Sequence, residues 1–534
     1  MKLNVLFAFT LYSTAGVAQL TASNLPIIKI QTNGATIDDE PKVMVDIEII
    51  NNGTGNMHNI TDPATDYIGK TGIEWRGNST QGYDKKTYSL EFWKPDQTDT
   101  AVSVMGMGKE EDWILHANHI DKSFVRNVTF YDIWRKMGYW APNTKYCELL
   151  LDGDYRGLYI WMERIKRDDD RVDIAKLNSS DNTGDEVTGG YILRLDWNDG
   201  DTTYGFESNH AAMDPIANLF YKYQYPKYDK ITGAQKAYIS NYIAEFEEAL
   251  FNANYTNSFG KRYNQYIDMT TFADFFIVNE LSRSVDAYKL STYMHKDKDS
   301  KGGKLKAGPI WDFDLSSNNA EYCGGDNTVG WTYLQAEGSC DDLWFMPAWW
   351  GRLLADPIFV NHVRCRWEQH KTNILDVNNL HTFIDAHADT INQAQARNFN
   401  RWPILGQNIF AQPSPIPSNY GGEIQIFKDW MTDRIYWLDS NIPGDCSLDQ
   451  VGVEELAQYN ISIYPNPFKN EFNISNLEGV NDIKVYDITG KEVYEYISVS
   501  TQITINLSSV EPGIYFVKAK SDNGKNVSKK IIKD

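Results

Sequence analysis

The sequence predicts an α+β protein with a β-rich N-terminal part, a helical C-terminal part and a small all-β domain after them. Apolar and polar residues alternate through much of 25–163, which is the period of a strand. Apolar residues recur at helical spacing through most of 343–443. After 459, short alternating segments recur at about 8 to 12 residues, which is typical of a small β-sandwich.

The N-terminal strands carry two candidate anion ligands. Residues 25–50 read as strand, turn, strand, and two further strands surround the turn RGNST. In KKTYSLEFW, Lys86 shares the apolar face of its strand, because side chains alternate with period two. A lysine on an apolar face needs an anion, and Arg76 on the preceding strand is available to the same anion. The alternative is a lysine that reaches the edge of the sheet with its ammonium group in water.

Two segments follow before the centre of the chain. A helix is predicted from about Ser123, and a hairpin with an Asp-Gly turn spans 146–163 and ends at Glu163. The stretch HIDKSFVRN is similar to a kinase catalytic loop, H-R-D-x-x-x-x-N. We reject that match, because Asp121 and Asn127 are one residue too far apart and the segment reads as the start of a helix.

The strongest chemical signal lies in 271–320. An apolar helix is followed by Asp286, an alternating segment over 288–294, a Lys/Asp/Gly turn, and a short strand that ends at Asp312 and Asp314. The hairpin brings the two acidic positions together, and Mg²⁺ prefers one or two carboxylates plus phosphate oxygens. The alternative is structural, with Asp314 capping a turn and Asp312 accepting hydrogen bonds from backbone amides.

Composition excludes some classes of partner. The 534 residues carry a net charge of −21 and no long basic tract, which argues against a nucleic-acid partner. Residues 1–18 are typical of a signal peptide, and no other apolar stretch is long enough for a transmembrane segment. An exported chain permits disulfides, and Cys323 and Cys340 flank a Gly-rich loop, so we expect them to pair and one of the five cysteines to be left over.

Residues 28–442 resemble the spore-coat protein H (CotH) kinase-like family. The matching pieces, in order, are WRGNST with KKTYSLEF, WILHANHIDKSFVRN, LLLDGDYRGLYIWMERI and AGPIWDFD. The resemblance implies an atypical protein-kinase-like domain over 19–442, with a β-rich N-lobe and a helical C-lobe. It also implies modification of protein Ser residues with ATP and Mg²⁺ or Mn²⁺.

The resemblance assigns roles to the candidate residues. Lys86 resembles the phosphate-binding lysine, and Glu163 is the candidate for its partner acid. Asp286 resembles the catalytic acid, Asp312 the metal-binding acid, and Asp314 is a further ligand or supports one. Phosphoryl transfer needs these parts: a cation on the phosphates, a metal bridge and an acid that orients the nucleophile.

One segment departs from the family. Family members of the spore type have an Asn shortly after the catalytic acid, whereas this chain reads VDAYKLSTY, with Lys289 and Ser291 where a second metal ligand is expected. The lysine either replaces the charge of a metal ion or indicates a site that no longer transfers phosphate.

Residues 459–534 resemble a type A C-terminal sorting domain of the type IX secretion system, after a linker at 443–458. The resemblance rests on YPNPF at 464–468, VYDITGKEV, GIYFVKAK and the basic end SKKIIKD. It implies export by the type IX machinery of a Bacteroidota-type bacterium, to the surface or beyond. The alternative is an ordinary Ig-like adhesive module.

Three hypotheses for function follow. The first is an exported kinase-like enzyme that phosphorylates protein hydroxyls. The second is a catalytically inactive kinase-fold surface or adhesion protein that binds a metal, a glycan or a protein partner. The third, a glycoside hydrolase, needs two acids about 5–10 Å apart in a sugar-binding cleft, and the family resemblance argues against it.

Overall fold

The computed structural model describes residues 20–197, 201–211, 218–334, 340, 346–449, 461–477, 480–497, 501–521 and 526–534. The predicted signal peptide at 1–18, and residues 450–458 of the predicted linker, lie outside this described part. The chain divides into two compact units, Met1–Pro443 and Gly444–Asp534. In the described ranges, no helix has both the length and the apolar character needed to cross a membrane.

The first unit begins with nine strands and one helix between them. They are β1 (Ala22–Ser23), β2 (Ile27–Gln31), β3 (Val43–Ile50), β4 (His58–Asn59), β5 (Tyr67–Arg76), β6 (Thr87–Trp93), β7 (Asp112–His116), α1 (Arg126–Lys136), β8 (Thr144–Leu151) and β9 (Asp154–Glu163). Seven of them close a barrel in the order β2-β3-β5-β6-β7-β9-β8. Closure comes from parallel pairing of β2 with β8, where Ile27 lies opposite Glu148.

The interior of the barrel is a packed core, not a channel. Tyr88, Leu90 and Phe92 of β6 point inward, together with Trp113 of β7 and Trp161 of β9, and all are almost fully buried. Side chains alternate along each strand, so the neighbours of these residues face outward. The predicted Asp-Gly turn between β8 and β9 is confirmed: Asp152 and Gly153 both have positive φ, of 50° and 78°, as a tight two-residue hairpin requires.

In the described ranges, β1 pairs with β4, and a five-stranded sheet and seven α-helices complete the first unit. The sheet has the order β11-β12-β10-β13-β14. Its strands are β10 (Tyr191–Leu195), β11 (Gly205–Ala211), β12 (Asn218–Tyr225), β13 (Thr292–Lys296) and β14 (Leu305–Ala307). The helices are α2 (Gly233–Phe251), α3 (Met269–Ser282), α4 (Trp349–Leu353), α5 (Pro357–Lys371), α6 (Val377–Thr390), α7 (Asn392–Arg401) and α8 (Tyr420–Asn441). The predicted α+β class is therefore confirmed, although the closed barrel was not predicted.

The predicted strand over 288–294 begins later than expected. Residues 286–291 form a turn, and β13 starts at Thr292. Tyr288 and Ser291 have φ of 68° and 48°, in the left-handed region that interrupts a strand. The predicted disulfide between Cys323 and Cys340 is present, and Cys147 is a free, buried thiol.

The second unit contains seven strands in two sheets. They are β15 (Ser462–Tyr464), β16 (Glu471–Ser475), β17 (Val480–Asp487), β18 (Glu492–Ile497), β19 (Gln502–Asn506), β20 (Gly513–Ser521) and β21 (Asn526–Lys533). One sheet has the order β15-β16-β19 and the other β18-β17-β20-β21. Both sheets contribute to one apolar core, for example Phe472 from the first and Val517 from the second, as in a small sandwich.

Candidate functional site

A cavity of about 370 Å³ lies on the outside of the barrel and collects most of the predicted site residues. Arg76, Asp286, Asp312 and Asp314 all line it. The other polar residues of the lining are Asn78, Thr80, Thr87, His116, Asn127, Tyr131, Arg194, Asp196, Ser291 and Tyr293. Acids and arginines therefore face one enclosed space.

The outward faces of four barrel strands form one wall of the cavity. Arg76 of β5, Thr87 of β6, His116 of β7 and Met162 of β9 line it, while the residues beside them in sequence pack in the barrel. This follows from the period-two alternation of a strand. The opposite walls come from α1, from the end of β10 and from the two segments 286–293 and 311–314.

Asp312 is held in an unusual backbone conformation. Its φ is 67°, in the left-handed region that few residues other than glycine adopt. The Ser291 hydroxyl lies 3.4 Å from Asp312 Oδ2, and the Asp312 amide lies 3.4 Å from the Tyr131 hydroxyl. Backbone conformations of this kind cost free energy and concentrate at functional sites, so the strain supports a role for Asp312 beyond packing.

The electrostatic environment of Asp312 disfavours its negative charge. Burial, and then the nearby Asp314 and Asp286 carboxylates, raise the pKa of Asp312 to about 7. His116 acts in the opposite direction and does not offset these effects. A carboxyl group that is costly to ionise gains most from a cation beside it.

Asp314 is fixed by two side chains from distant parts of the chain. His116 Nε2 lies 3.0 Å from Asp314 Oδ2, and the Asn127 amide nitrogen donates to Asp314 Oδ1. Asn127 is itself oriented by the Phe313 amide, which donates to Asn127 Oδ1 over 2.8 Å. These contacts fix the orientation of the Asp314 side chain. The residue is 4% exposed.

Two arginines line the same cavity. Burial lowers the pKa of Arg76 to about 10, and its guanidinium carbon lies 5.9 Å from the ring centre of Trp311. No described carboxylate lies within ion-pair distance of Arg76. Arg194 is paired with Asp196, with 3.2 Å between Nε and Oδ2. Arg76 is thus a half-buried cation available to an anionic group in the cavity.

The structure does not bring Lys86 or Glu163 to this cavity. Lys86 Nζ donates to the Gln81 carbonyl over 2.6 Å and lies 4.8 Å from the ring centre of Trp75. The reason is geometric: Lys86 precedes β6 on the side of Tyr88, which points into the packed barrel, whereas the cavity lies on the side of Thr87. The neighbouring Lys85 is the buried lysine, and its ammonium donates to two backbone carbonyls.

The predicted pairing of Lys86 with Glu163 is not seen. Glu163 is 1% exposed and lies 3.3 Å from an Arg171 nitrogen, and it accepts hydrogen bonds from the backbone and side chain of Asn143. Its place is at the end of the barrel. Lys289, in the segment that departs from the family, is buried with Nζ 3.2 Å from Cys340 Sγ, and it does not line the cavity.

The donor set of the cavity fits a hard divalent cation. Asp286, Asp312 and Asp314 offer carboxylate oxygens, which Mg²⁺ and Mn²⁺ prefer, with positions left for phosphate oxygens. The raised pKa of Asp312 is consistent with a site that a cation completes.

A second group of acids, with their oxygens closer together, is already neutralised by a lysine. In the described part of the chain, Glu110, Glu111 and Asp112 are the acids whose oxygens lie within 4.8 Å of one another. The Lys166 ammonium lies 2.8, 2.7 and 2.9 Å from their oxygens. A lysine therefore takes the position that a metal ion would need.

Sequence reasoning missed His116, Asn127 and Arg194. Asn127 lies in the stretch HIDKSFVRN, and nothing in its local spacing predicts its contact with Asp314, 187 residues later. His116 follows an apolar strand segment on the polar side of the alternation. Its outward position at the end of a strand is the sequence feature that could have indicated a site residue.

The fold and the cavity define a class: an α+β protein with an acid-lined site between the outside of a β-barrel, helix α1 and the two segments 286–293 and 311–314. Comparison with protein families identifies it further. Residues 73–438 match the family described as CotH kinase protein, and because this match covers more than half of the chain, the protein belongs to that family. Residues 462–534 match the secretion system C-terminal sorting domain.

The sorting domain indicates handling by the type IX secretion machinery and delivery to the cell surface or beyond. A comparison with curated proteins finds no match. Among solved structures, the chain is similar to PorZ, an essential bacterial surface component of the type IX secretion system of Porphyromonas gingivalis. The identity is 22%, the TM-score is 0.13, and the match covers 15% of this chain and 12% of that one.

Proposed function

We propose that this protein is an exported, metal-dependent phosphotransferase that uses ATP to phosphorylate protein hydroxyl groups, with Ser as the main acceptor, and that its first unit works as a kinase-like two-lobe domain. The observation that carries the proposal is the convergence of Asp286, Asp312 and Asp314 with Arg76 on one cavity. These are the groups that phosphoryl transfer requires, since it depends on positioning and charge stabilisation.

Each residue has a chemical role in the proposal. Asp286 accepts the proton of the attacking serine hydroxyl, whose oxygen forms a bond to the γ-phosphorus as the bond from the γ-phosphorus to the β–γ bridging oxygen breaks and ADP leaves. Arg76 holds phosphate oxygens with its planar guanidinium group. Asp312 and Asp314 would hold Mg²⁺ or Mn²⁺, which when bound neutralises phosphate charge. His116 and Asn127 position Asp314.

The position of Lys86 outside the cavity supports a second candidate function. A phosphate-binding lysine was predicted in the site, yet Lys86 is bonded to the Gln81 carbonyl away from the cavity. Without that lysine, Arg76 is the main cation for an anionic ligand. The second candidate is therefore a surface protein that uses the same cavity to bind a metal ion, a glycan or a protein partner without transferring phosphate.

Calorimetric titration of the full chain with ATP, in the presence of Mg²⁺ or Mn²⁺, tests the proposal. We expect saturable binding that requires the metal and is lost in Asp312→Asn, while Asp433→Asn, the same change at an exposed position of α8, binds as the wild type does. Incubation with ATP, followed by mass spectrometry of the chain and of added serine-containing proteins, then tests transfer. Binding without transfer, or no ATP binding by the folded chain, favours the second candidate, and metal-independent binding unaffected by Asp312→Asn contradicts the proposed phosphotransferase site.

A further inference from the structure

A second cavity, of about 260 Å³, lies apart from the first and shares no lining residue with it. It is bounded by the last turn of α1 and the residues after it, by 171–173, and by 306–309, which are the end of β14 and the two residues after it. None of the residues predicted from sequence to act in catalysis lines it. Helix α1 nevertheless reaches both cavities, with Tyr131 in the first and Trp134 in the second.

Aromatic side chains form much of the wall of this second cavity. Trp134, Tyr139 and Trp140 line it, and the rings of Trp134 and Tyr139 lie 4.5 Å apart between centres. The Tyr139 hydroxyl is already used, because it donates to Asp274 over 2.7 Å. Flat aromatic faces bind ligands that present C–H groups, and an indole or phenol adds a polar edge.

Besides the Arg171 guanidinium, whose nitrogens have no hydrogen-bond partner among the described residues, two neutral polar groups of the lining remain available to a ligand. The indole Nε1 of Trp140 is buried and has no hydrogen-bond partner among the described residues. His295 Nδ1 lies 3.0 Å from the Gly308 carbonyl, which accepts only, so Nδ1 carries the hydrogen and Nε2 is an acceptor. Burial also lowers the pKa of His295 to about 4, which keeps the ring neutral. Apart from Arg171, the cavity thus offers one neutral donor, Trp140 Nε1, and one neutral acceptor, His295 Nε2.

The interior of the cavity carries no uncompensated charge. Arg171 is fully buried, and its guanidinium nitrogens lie 3.4, 3.3 and 3.5 Å from the carboxylates of Glu110, Glu163 and Asp168. The charged residues that remain in the lining, Lys306 and Asp173, are exposed and of opposite sign. The cavity therefore offers little electrostatic attraction to a charged ligand, and a neutral ligand can bind without leaving a charge unpaired.

We propose that this second cavity binds one pyranose ring of a neutral saccharide. A pyranose presents C–H groups on its faces and hydroxyls at its edge, and each hydroxyl both donates and accepts, so one ring satisfies the aromatic wall, the Trp140 donor and the His295 acceptor. The volume is slightly below the range of about 300–1,000 Å³ for drug-sized ligands and far above the roughly 30 Å³ of a single water.

Ligand-observed saturation-transfer NMR and calorimetry on the full chain test this proposal. The probes are the methyl glycosides of glucose, galactose and mannose, the free sugars, and glucuronate as the charged counterpart. We expect at least one neutral pyranose to bind saturably and more tightly than glucuronate. A preference for the methyl glycoside over the free sugar identifies the end of a glycan as the natural ligand; the reverse preference identifies a free monosaccharide.

Two conservative variants locate the binding. Trp140→Phe keeps an aromatic ring and removes the N–H donor, while His295→Asn retains a donor for the Gly308 carbonyl and removes the Nε2 acceptor. Each should weaken binding about fivefold, as expected for one hydrogen bond, whereas Trp93→Phe in the barrel should not. No binding of any probe to the folded chain overturns the proposal, and so does tighter binding of glucuronate. Binding unchanged in both variants but lost in Asp312→Asn also overturns it, because that result places the sugar in the first cavity.

Discussion

The imidazole of His116 and the carboxylate of Asp314 form an ion pair across the candidate site, with Nε2 and Oδ2 3.0 Å apart, although the residues are 198 positions apart in the chain. Burial disfavours the charged imidazole, but Asp314 outweighs burial, and the pKa of His116 is raised. The contact joins the barrel to the loop after β14. Because the charge of His116 depends on pH, the strength of its contact with Asp314, a candidate metal ligand, also depends on pH.

Replacing His116 by Gln should remove part of the pH dependence of stability. A raised pKa in the folded state gives stability that is complete below the unfolded value of about 6.5 and is lost as pH rises through the folded value. The glutamine amide still donates to Asp314 but does not titrate. Calorimetric melting without divalent cations should show a steeper loss of stability between pH 6 and 9 in the wild type than in His116→Gln. His381→Gln is the control, and equal slopes in all three proteins would refute this reasoning.

Replacing Asp312 by Asn should stabilise the metal-free protein at neutral to alkaline pH. Because the pKa of Asp312 is raised from 3.8 to about 7, its contribution to stability is lost as pH rises between those values, by up to about 4 kcal/mol. The asparagine avoids this loss, so its melting temperature should exceed that of the wild type at pH 8 and match it near pH 4. Added Mg²⁺ should raise the wild-type melting temperature at pH 8 and leave the variant unchanged. A variant that melts below the wild type at pH 8 would contradict the raised pKa.

The acids of the site could be predicted because the chain brings them together locally. Asp286 and Asp312 are joined by one hairpin, and a hairpin of this length returns the chain to its starting point whatever the rest of the fold does. The residues that support them could not be predicted. His116 on β7 and Asn127 on α1 reach Asp314 only because these two elements pack beside the loop after β14, and no local pattern encodes these contacts.

Lys86 shows that strand periodicity predicts which side chains share a face and does not predict what that face contacts. The alternation through Tyr88, Leu90 and Phe92 was identified correctly, and these side chains share one face. The pattern predicts that Lys86 on this face either meets an anion or reaches the edge of the sheet, and closure of the barrel makes this face the interior. Closure depends on parallel pairing of β2 with β8, which are separated by more than a hundred residues, so the sequence pattern could not separate a packed interior from a ligand-binding face.

Asn127 should be sensitive to a change that keeps its shape. In Asn127→Asp, an oxygen remains for the Phe313 amide, but the donor to Asp314 becomes a second carboxylate. Like charges at this separation disfavour ionisation, so the variant should lose more stability at pH 8 than at pH 5. The loss is on the order of 2 kcal/mol or more, as for a buried polar group left without its partner. Thermal melting of both proteins at both pH values measures it.

The matched control for this change is Asn400→Asp, an exposed position on α7, which should alter stability by less than about 0.5 kcal/mol. If Asn127→Asp behaves like this control at pH 8, Asn127 does not support Asp314.

Replacing Arg76 should weaken nucleotide binding, whereas replacing Lys86 should not. Arg76 lines the first cavity without an ion pair to a described carboxylate, whereas Lys86 is bonded to the Gln81 carbonyl outside it. Arg76→Met should weaken ATP binding in the presence of Mg²⁺ by at least about tenfold, as expected for loss of a charge-assisted hydrogen bond of roughly 1.5–3 kcal/mol. Lys86→Met should change the dissociation constant by less than about twofold. The reverse result, measured by calorimetry, would restore the phosphate-binding role that the family resemblance assigns to Lys86.

A buried ion pair behind the site holds the turn that carries Asp286. Arg434 of α8 and Glu280 of α3 are both fully buried, with Arg434 Nη2 3.1 Å from Glu280 Oε2 and Arg434 Nε donating to the Glu280 carbonyl over 2.7 Å. The Tyr288 hydroxyl donates to Glu280 Oε1 over 3.0 Å. Because Tyr288 lies two residues after Asp286, the pair restrains the position of the proposed catalytic acid.

Removing one partner of this pair should cost more than removing both. Arg434→Met leaves the Glu280 carboxylate buried without its cation, which typically costs about 3–5 kcal/mol. Adding Glu280→Gln removes the unpaired charge, so the double variant should be more stable than Arg434→Met alone, and the two effects should not be additive. Arg401→Met, which breaks a partly exposed pair with Asp154, should cost about 1 kcal/mol or less. Calorimetric melting of the wild type, Arg434→Met, Glu280→Gln, the double variant and Arg401→Met provides the comparison, and additive losses would show that Arg434 and Glu280 contribute independently.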